Sequence, residues 1–412
     1  MDVNISGYIM YLAGGLGAAS VSFRFDLKNK ADAGMARQAL NETMKRYPYY
    51  QVKVGIRDGK LRMDENPLPV VVTEGEDIPV LNSEETNYHM LAVRCHEKSL
   101  TLYASHGMID GFAGMCFMRT FLYEYCCLMT GEKLDAAGID LPGEPINPQE
   151  YTEPLKPYLL LQLPPAGTNA ESPKVFYPSI TDRERKRHIR ISVSDMLKAT
   201  GNMDATVSSL FVLMLLKAMD AVYPDSEYPK CTNMALDLRG GFHVPNYRYS
   251  LSNFITMQYK EPMKHMDNDL ALTCIRGMMI LGTEEEKLIE SGMMYIVGYQ
   301  MLSQIPDARV AIEQMSKMLV DFKANANVSY VGKLGLSGAE PYVESAELSA
   351  GLGTCPCLIE AVQLNGMIDL NIMYRTGDDR LALEFANQLK KIGIPCEVSE
   401  ERELRLAKIA PL

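Results

Sequence analysis

Apolar and polar positions alternate in short runs over much of the first hundred residues, and these runs predict strands. Val21, Phe23 and Phe25 fall on one face of residues 19–27, and residues 8–13 also read as a strand. After Asp32 the period lengthens. Met35, Ala39, Leu40 and Met44 return at helical spacing, so a helix is expected over residues 33–45, terminated by Arg46-Tyr47-Pro48. Strands are expected again over 51–56, closed by Asp58-Gly59, and over 69–73, 90–95 and 100–104. Residues 115–129 are apolar nearly all round, which predicts a helix sandwiched inside its lobe. From 140 to 178 proline recurs too often for any regular element, and this stretch reads as a crossover linker. Beyond it the pattern predicts a helix capped by Ser194, a helix over 207–222 and a buried strand over 232–238. Two or three amphipathic helices within 269–323 come next, followed by a strand at 328–332 and a hairpin over 358–374 turning at Asn365-Gly366. A helix over 379–391 and a short run at 396–398 close the chain. The expected fold class is α/β, in two lobes over residues 1–165 and 179–412.

Composition narrows the partners. A length of 412 residues with 47% hydrophobic content suits two cores. The net charge of -11 argues against nucleic acid and against an anionic membrane surface. Nine cysteines without metal-ligand spacing point to reduced thiols and no bound metal. The Met1-Asp2-Val3-Asn4 start has no basic leader, and no apolar run reaches the roughly 20 residues of a membrane span. A soluble, cytoplasmic protein is expected. The 27 methionines fit ordinary core packing, with a methionine-lined cavity as the alternative. One local exception to the acidic whole is the basic run from Arg183 to Arg190, in its plain reading a solvated strand edge.

Candidate chemistry concentrates in Ser105-His106-Gly107-Met108-Ile109-Asp110-Gly111, where a predicted strand gives way to a predicted helix. Such a junction can hold an imidazole rigidly with one face open to a pocket, and the two glycines allow the backbone to turn closely. A neutral His106 there suits general base catalysis on an acceptor hydroxyl or amine. The structural alternative is an imidazole satisfied by backbone carbonyls. Asp110 either fixes the local geometry or caps the following helix. No G-x-S-x-G signature suggests a covalent acyl-enzyme.

His106, Asp110 and Gly111 stand in a pattern that resembles the His-x-x-x-Asp-Gly motif of the chloramphenicol acetyltransferase-like superfamily, which includes alcohol and hydroxyl acyltransferases and condensation domains. Other segments resemble it in the same order: Arg46-Tyr47-Pro48 is similar to its "RHP" segment, and the helix from Val207 to its second-half opening. Asp237-Leu238-Arg239 is similar to its "D-x-R" strand end, Ser252-Asn253 to its "GN" turn, and Val328-Ser329-Tyr330-Val331-Gly332 to its "SN-x-G" strand. The resemblance implies two lobes of mixed sheets with packed helices and an active-site tunnel between them. It implies His106 as general base, with Asp110 paired to Arg239 to support the site beside Gly111. Ser329 and Asn253 become oxyanion or substrate contacts; the alternatives are a strand serine bonded to backbone, which fits Ser329 equally, and an asparagine that orders a turn, which fits Asn253 better. Arg185 and Arg187 become contacts to the phosphates of CoA. The implied activity is acyl-CoA-dependent O-acyl transfer, or N-acyl transfer, to a small alcohol or amine, with acyl-CoA as co-substrate and no tightly bound cofactor. Two departures matter. Ser105 stands where condensation domains usually carry a first histidine, and the "DFGWG" element of plant-type enzymes is missing after Gly332. A free-standing condensation domain taking thioesters from a carrier protein, and a non-catalytic binding module, remain as alternatives.

Overall fold

Strand β1 (Ser20–Leu27) is built to separate two environments, and the first sheet grows from it. In the computed structural model, which describes residues 2–13, 19–160, 174–321 and 323–412, this sheet has the order β11-β1-β6-β5-β4. Its members are β4 (Val72–Glu74), β5 (Leu91–His96), β6 (Ser99–Ser105) and, from far along the chain, β11 (Val343–Ala350). Val21, Phe23 and Phe25 are buried on the face covered by α2 (Ala33–Arg46) and α3 (Gly111–Thr130). The contact is close: a methyl group on Gly114 of α3 would stand 2.1 Å from the Phe23 ring. The opposite face is polar, with Ser22 opposite Tyr103 and Ser349, and Arg24 opposite Thr101 and Glu347. A separate hairpin pairs β2 (Val52–Arg57) with β3 (Lys60–Glu65).

The second sheet runs β14-β7-β13-β12-β10-β8-β9, with β15 also on β7. It comprises β7 (Arg185–Ser192), β8 (Lys230–Asp237), β9 (Ser252–Tyr259), β10 (Ala326–Lys333), β12 (Cys357–Leu364), β13 (Met367–Tyr374), β14 (Cys396–Val398) and β15 (Arg402–Glu403). β10 is parallel to both of its neighbours and the other pairings are antiparallel. The β12–β13 hairpin turns at Asn365-Gly366, both at positive φ, as the sequence predicts. Helices α4 (Val193–Thr200), α5 (Val207–Val222), α6 (Glu261–Lys264), α7 (Asn268–Gly282), α8 (Glu285–Ser303), α9 (Ala308–Asp321) and α10 (Arg380–Lys391) complete this half. Three of them, α7 to α9, fill the 269–323 stretch. The cap of α4 is Ser192, whose Oγ accepts from the Asp195 N–H, and not Ser194.

Three further differences from the sequence reading bear on the site. Residues 8–13 belong to a helix, α1 (Ile5–Leu12), and not to a strand. A short apolar run fits a buried strand and a buried helix equally, and here the helix packs on α8, with Tyr8 edge-on to Tyr299. The 140–178 stretch, of which 161–173 lie outside the described residues, does more than connect. Glu150 is 2% exposed and takes both Arg46 guanidinium nitrogens at 2.8 Å with the Tyr49 hydroxyl, while Glu153 accepts from the Ile5 N–H that opens α1. Finally, the division at 165 and 179 does not separate the sheets. The boundary at 165 itself lies outside the described residues, and β11 crosses from the second segment to complete the first sheet. Its alternation of Ala346, Leu348 and Ala350 with serine and glutamate continues the apolar and polar faces of β1.

Candidate active site

His106 sits one residue beyond the end of β6, and its N–H donates to the Ala19 carbonyl at 2.6 Å, which ties the turn back to the start of β1. Beneath it the backbones of α1 and the His106 loop nearly touch. A methyl group on Gly7 would fall 2.1 Å from the Gly107 carbonyl oxygen, and one on Gly107 would fall 3.0 Å from that of Gly7. Asn4, before α1, donates to the Gly107 carbonyl at 3.0 Å. The imidazole is half-buried, with Nδ1 enclosed and without a hydrogen-bond partner, so Nε2 is the ring nitrogen open to the space in front of it.

Asp110 makes two kinds of contact. Its Oδ1 accepts from Ala113 N–H at 3.0 Å, as the N-cap of α3, while both carboxylate oxygens receive Arg239 Nη2 at 3.0 and 2.9 Å. The Leu251 N–H also donates to Asp110, at 2.9 Å. Arg239 is 2% exposed and satisfied all round: Nε donates to the Tyr247 carbonyl, Nη1 to Asp237, and Nη2 also to the Tyr249 carbonyl. Burial works against its charge, but Asp110 and Asp237 outweigh it and hold the guanidinium above its ordinary value. The pair thus locks the first-sheet loop that carries His106 to the end of β8 in the second sheet. Gly111 is required by the same junction, since a side chain there would meet Val331 of β10 at 2.7 Å.

A cavity of about 820 Å³ opens before His106, walled by residues of both sheets. Arg239, Ser329 and Phe112 line it. Among the described residues the only methionines that line it are Met10 and Met115, so the cavity is not methionine-lined. Asn253 does not line the cavity: its amide donates to the Ser291 carbonyl at 2.9 Å and fastens β9 to α8. It lies in a strand and not in a turn. Arg185 and Arg187 are also elsewhere. Arg185 is paired with Glu401 and Arg187 with Asp379, and neither lines the cavity.

One cavity residue has no signal in the sequence. Glu360 of β12 lies beside Ser329 of β10 in parallel register, and both face the cavity. Burial pushes its carboxyl up to about 7, against the lowering effect of the hydrogen bond from Ser329. The cavity therefore holds a carboxyl that keeps its proton up to about pH 7.

No family model matches the chain, and no curated protein sequence does. Solved structures do match in shape. Polyketide synthase associated protein 5 from Mycobacterium tuberculosis superposes with a TM-score of 0.64 at 12% identity, over 95% of this chain and 98% of that one. The condensation domain from the Monacolin K polyketide synthase MokA gives 0.59 at 10% identity, over 95% and 96%. F. sporotrichioides TRI101, complexed with coenzyme A and T-2, gives 0.57 at 14% identity, over 97% and 99%. With two mixed sheets, packed helices and a cavity shared between them, the chain has the chloramphenicol acetyltransferase-like fold of condensation and acyltransferase proteins.

Proposed function

We propose that the chain is an acyltransferase that moves an acyl group from acyl-CoA to a hydroxyl or amine acceptor, with His106 as general base. The observation that carries this reading is the open Nε2 of His106 in a cavity between the sheets, on a loop immobilised by the Asp110–Arg239 pair. Nε2 takes the acceptor proton as its oxygen or nitrogen attacks the thioester carbonyl. The tetrahedral oxyanion collapses, the C–S bond breaks, and the imidazolium returns the proton to the departing thiolate. Ser329, which lines the same cavity, donates its hydroxyl to the oxyanion, a contribution of typically about 3 kcal/mol. While Glu360 is ionised the Ser329 hydroxyl is turned to it. Once Glu360 is protonated it can donate to Ser329 Oγ and release the serine O–H toward the cavity. No tightly bound cofactor enters this scheme. Coenzyme A bound by a protein of the same fold supports the choice of donor. None of the described helices is long and apolar enough to cross a membrane.

The test is a panel of acyl-CoA donors with mixed alcohols and amines, followed by mass spectrometry. His106→Ala is expected to lower turnover at least about a hundredfold with the fold intact. Full-rate transfer by a folded variant would refute the mechanism. The likeness to a condensation domain favours a second reading, in which a carrier protein delivers the thioester. Activity that appears only with an acylated carrier protein would select it.

A further inference from the structure

The polar face of the first sheet carries a second cavity, of about 270 Å³. Five cationic side chains line it. Two are matched, Arg24 by Asp26 at 2.7 Å and Lys186 by Glu347 at 2.6 Å. The other three, Arg94, Arg402 and Arg405, have no carboxylate partner among the described residues, and the only remaining acid in the wall is Glu403, in a chain whose net charge is -11. Arg94 is the telling one. It is 8% exposed, its Nη1 donates to the Glu76 carbonyl at 2.8 Å, and its Nε is buried with no acceptor. The Thr101 hydroxyl in the same wall is likewise buried and unpartnered. Tyr103 lies between the charges, its ring centroid 5.7 Å from the Arg94 guanidinium. Burial pushes its phenol up, while the charges of Arg94, Arg24 and Arg405 pull it back.

We infer that this cavity is a binding site for a phosphate-class anion, held by Arg94, Arg402 and Arg405 with the Tyr103 and Thr101 hydroxyls. A nearly buried guanidinium without a counter-charge is costly, and an anion supplies what the chain withholds. Planar guanidinium forks match phosphate oxygens, and hydroxyls complete the shell. The volume admits a phosphate or pyrophosphate group. Ser22 and Ser349 line this cavity and the one before His106 alike, so the anion can be either a free ion or the phosphate end of a molecule whose other end lies in the larger cavity.

The experiment is calorimetric titration of the whole chain with inorganic phosphate and with pyrophosphate, with chloride holding the ionic strength constant. Saturable binding is expected, weakened at least about tenfold by Arg94→Met and by the double variant Arg402→Met/Arg405→Met. Arg94→Met without anion is expected to melt no lower than the parent, because it removes an uncompensated charge. Should that variant not fold, the exposed double variant decides alone. Absence of saturable binding, or binding that neither variant weakens, would overturn the assignment. Competition separates the sources: displacement of pyrophosphate by coenzyme A but not by pantetheine marks the phosphates as part of a substrate, and binding that persists beside saturating coenzyme A marks a free anion. The measurement needs no catalysis, so it stands or falls apart from the acyl-transfer reading.

Discussion

Replacing Glu360 with glutamine should stabilise the protein at alkaline pH and do nothing at acid pH. The carboxyl titrates at about 7 in the folded chain against an ordinary 4.5. Between those values the native state keeps a proton that the unfolded state releases, so stability falls as pH rises through the window. Below 4.5 both states are protonated and the penalty vanishes. Above 7 it is complete, and at 1.36 kcal/mol per pH unit the gap amounts to about 3 kcal/mol. Glutamine has nearly the same shape, can still meet the Ser329 hydroxyl, and carries no charge to desolvate at any pH. In melting curves of both proteins from pH 5 to 8.5, the Glu360→Gln variant is expected to exceed the parent by on the order of 4 °C at the alkaline end for a chain of this size, with the difference closing toward pH 5. Other titrating groups are common to both proteins and cancel in the difference. A difference independent of pH, or a variant that melts lower at pH 8.5, would show that burial does not govern this carboxyl.

Asp110→Asn is expected to lower both melting temperature and turnover, since it leaves buried Arg239 short of a counter-charge at a cost of roughly 3 to 5 kcal/mol. Combined with Arg239→Met the losses should be strongly non-additive in a double-mutant cycle, and simple additivity would contradict a cross-sheet lock. Gly7→Ala forces α1 away from the Gly107 carbonyl and is expected to cost about 1 to 3 kcal/mol and to depress activity, read by chemical denaturation and initial rates; unchanged values would mean the two backbones are not in contact.

The sequence makes some of this architecture plain and hides the rest for physical reasons. His106, Asp110 and the strand–turn–helix around them are adjacent in the chain, so spacing alone brings them together. Arg239 is 129 residues from Asp110, so only the ordered resemblance points to it, and in the fold the two side chains lie 2.9 Å apart. Glu360 could not be reached at all. Its neighbour Ser329 is set by parallel register between β10 and β12, and no local period encodes that. Strand β11 has mostly small apolar positions, which give little alternating signal, and the eight residues of α1 are too few to separate a strand period from a helical one. Arg185 and Arg187 looked available for a ligand because their partners, Glu401 and Asp379, come from distant segments.

The crossing of β11 into the first sheet sets a timetable for synthesis. β1 and β6 leave the ribosome early, yet one side of β1 is not covered until Ala350 has emerged. At 5 to 20 residues per second, the interval from Ser105 to Ala350 lasts on the order of ten to fifty seconds. Throughout it the nascent chain carries an open strand edge bearing Phe23 and Phe25, the kind of template that invites pairing with a neighbouring chain. A nascent-chain chaperone, or a transient cover from another segment of the same polypeptide, is therefore most needed between the emergence of Ser105 and that of Ala350.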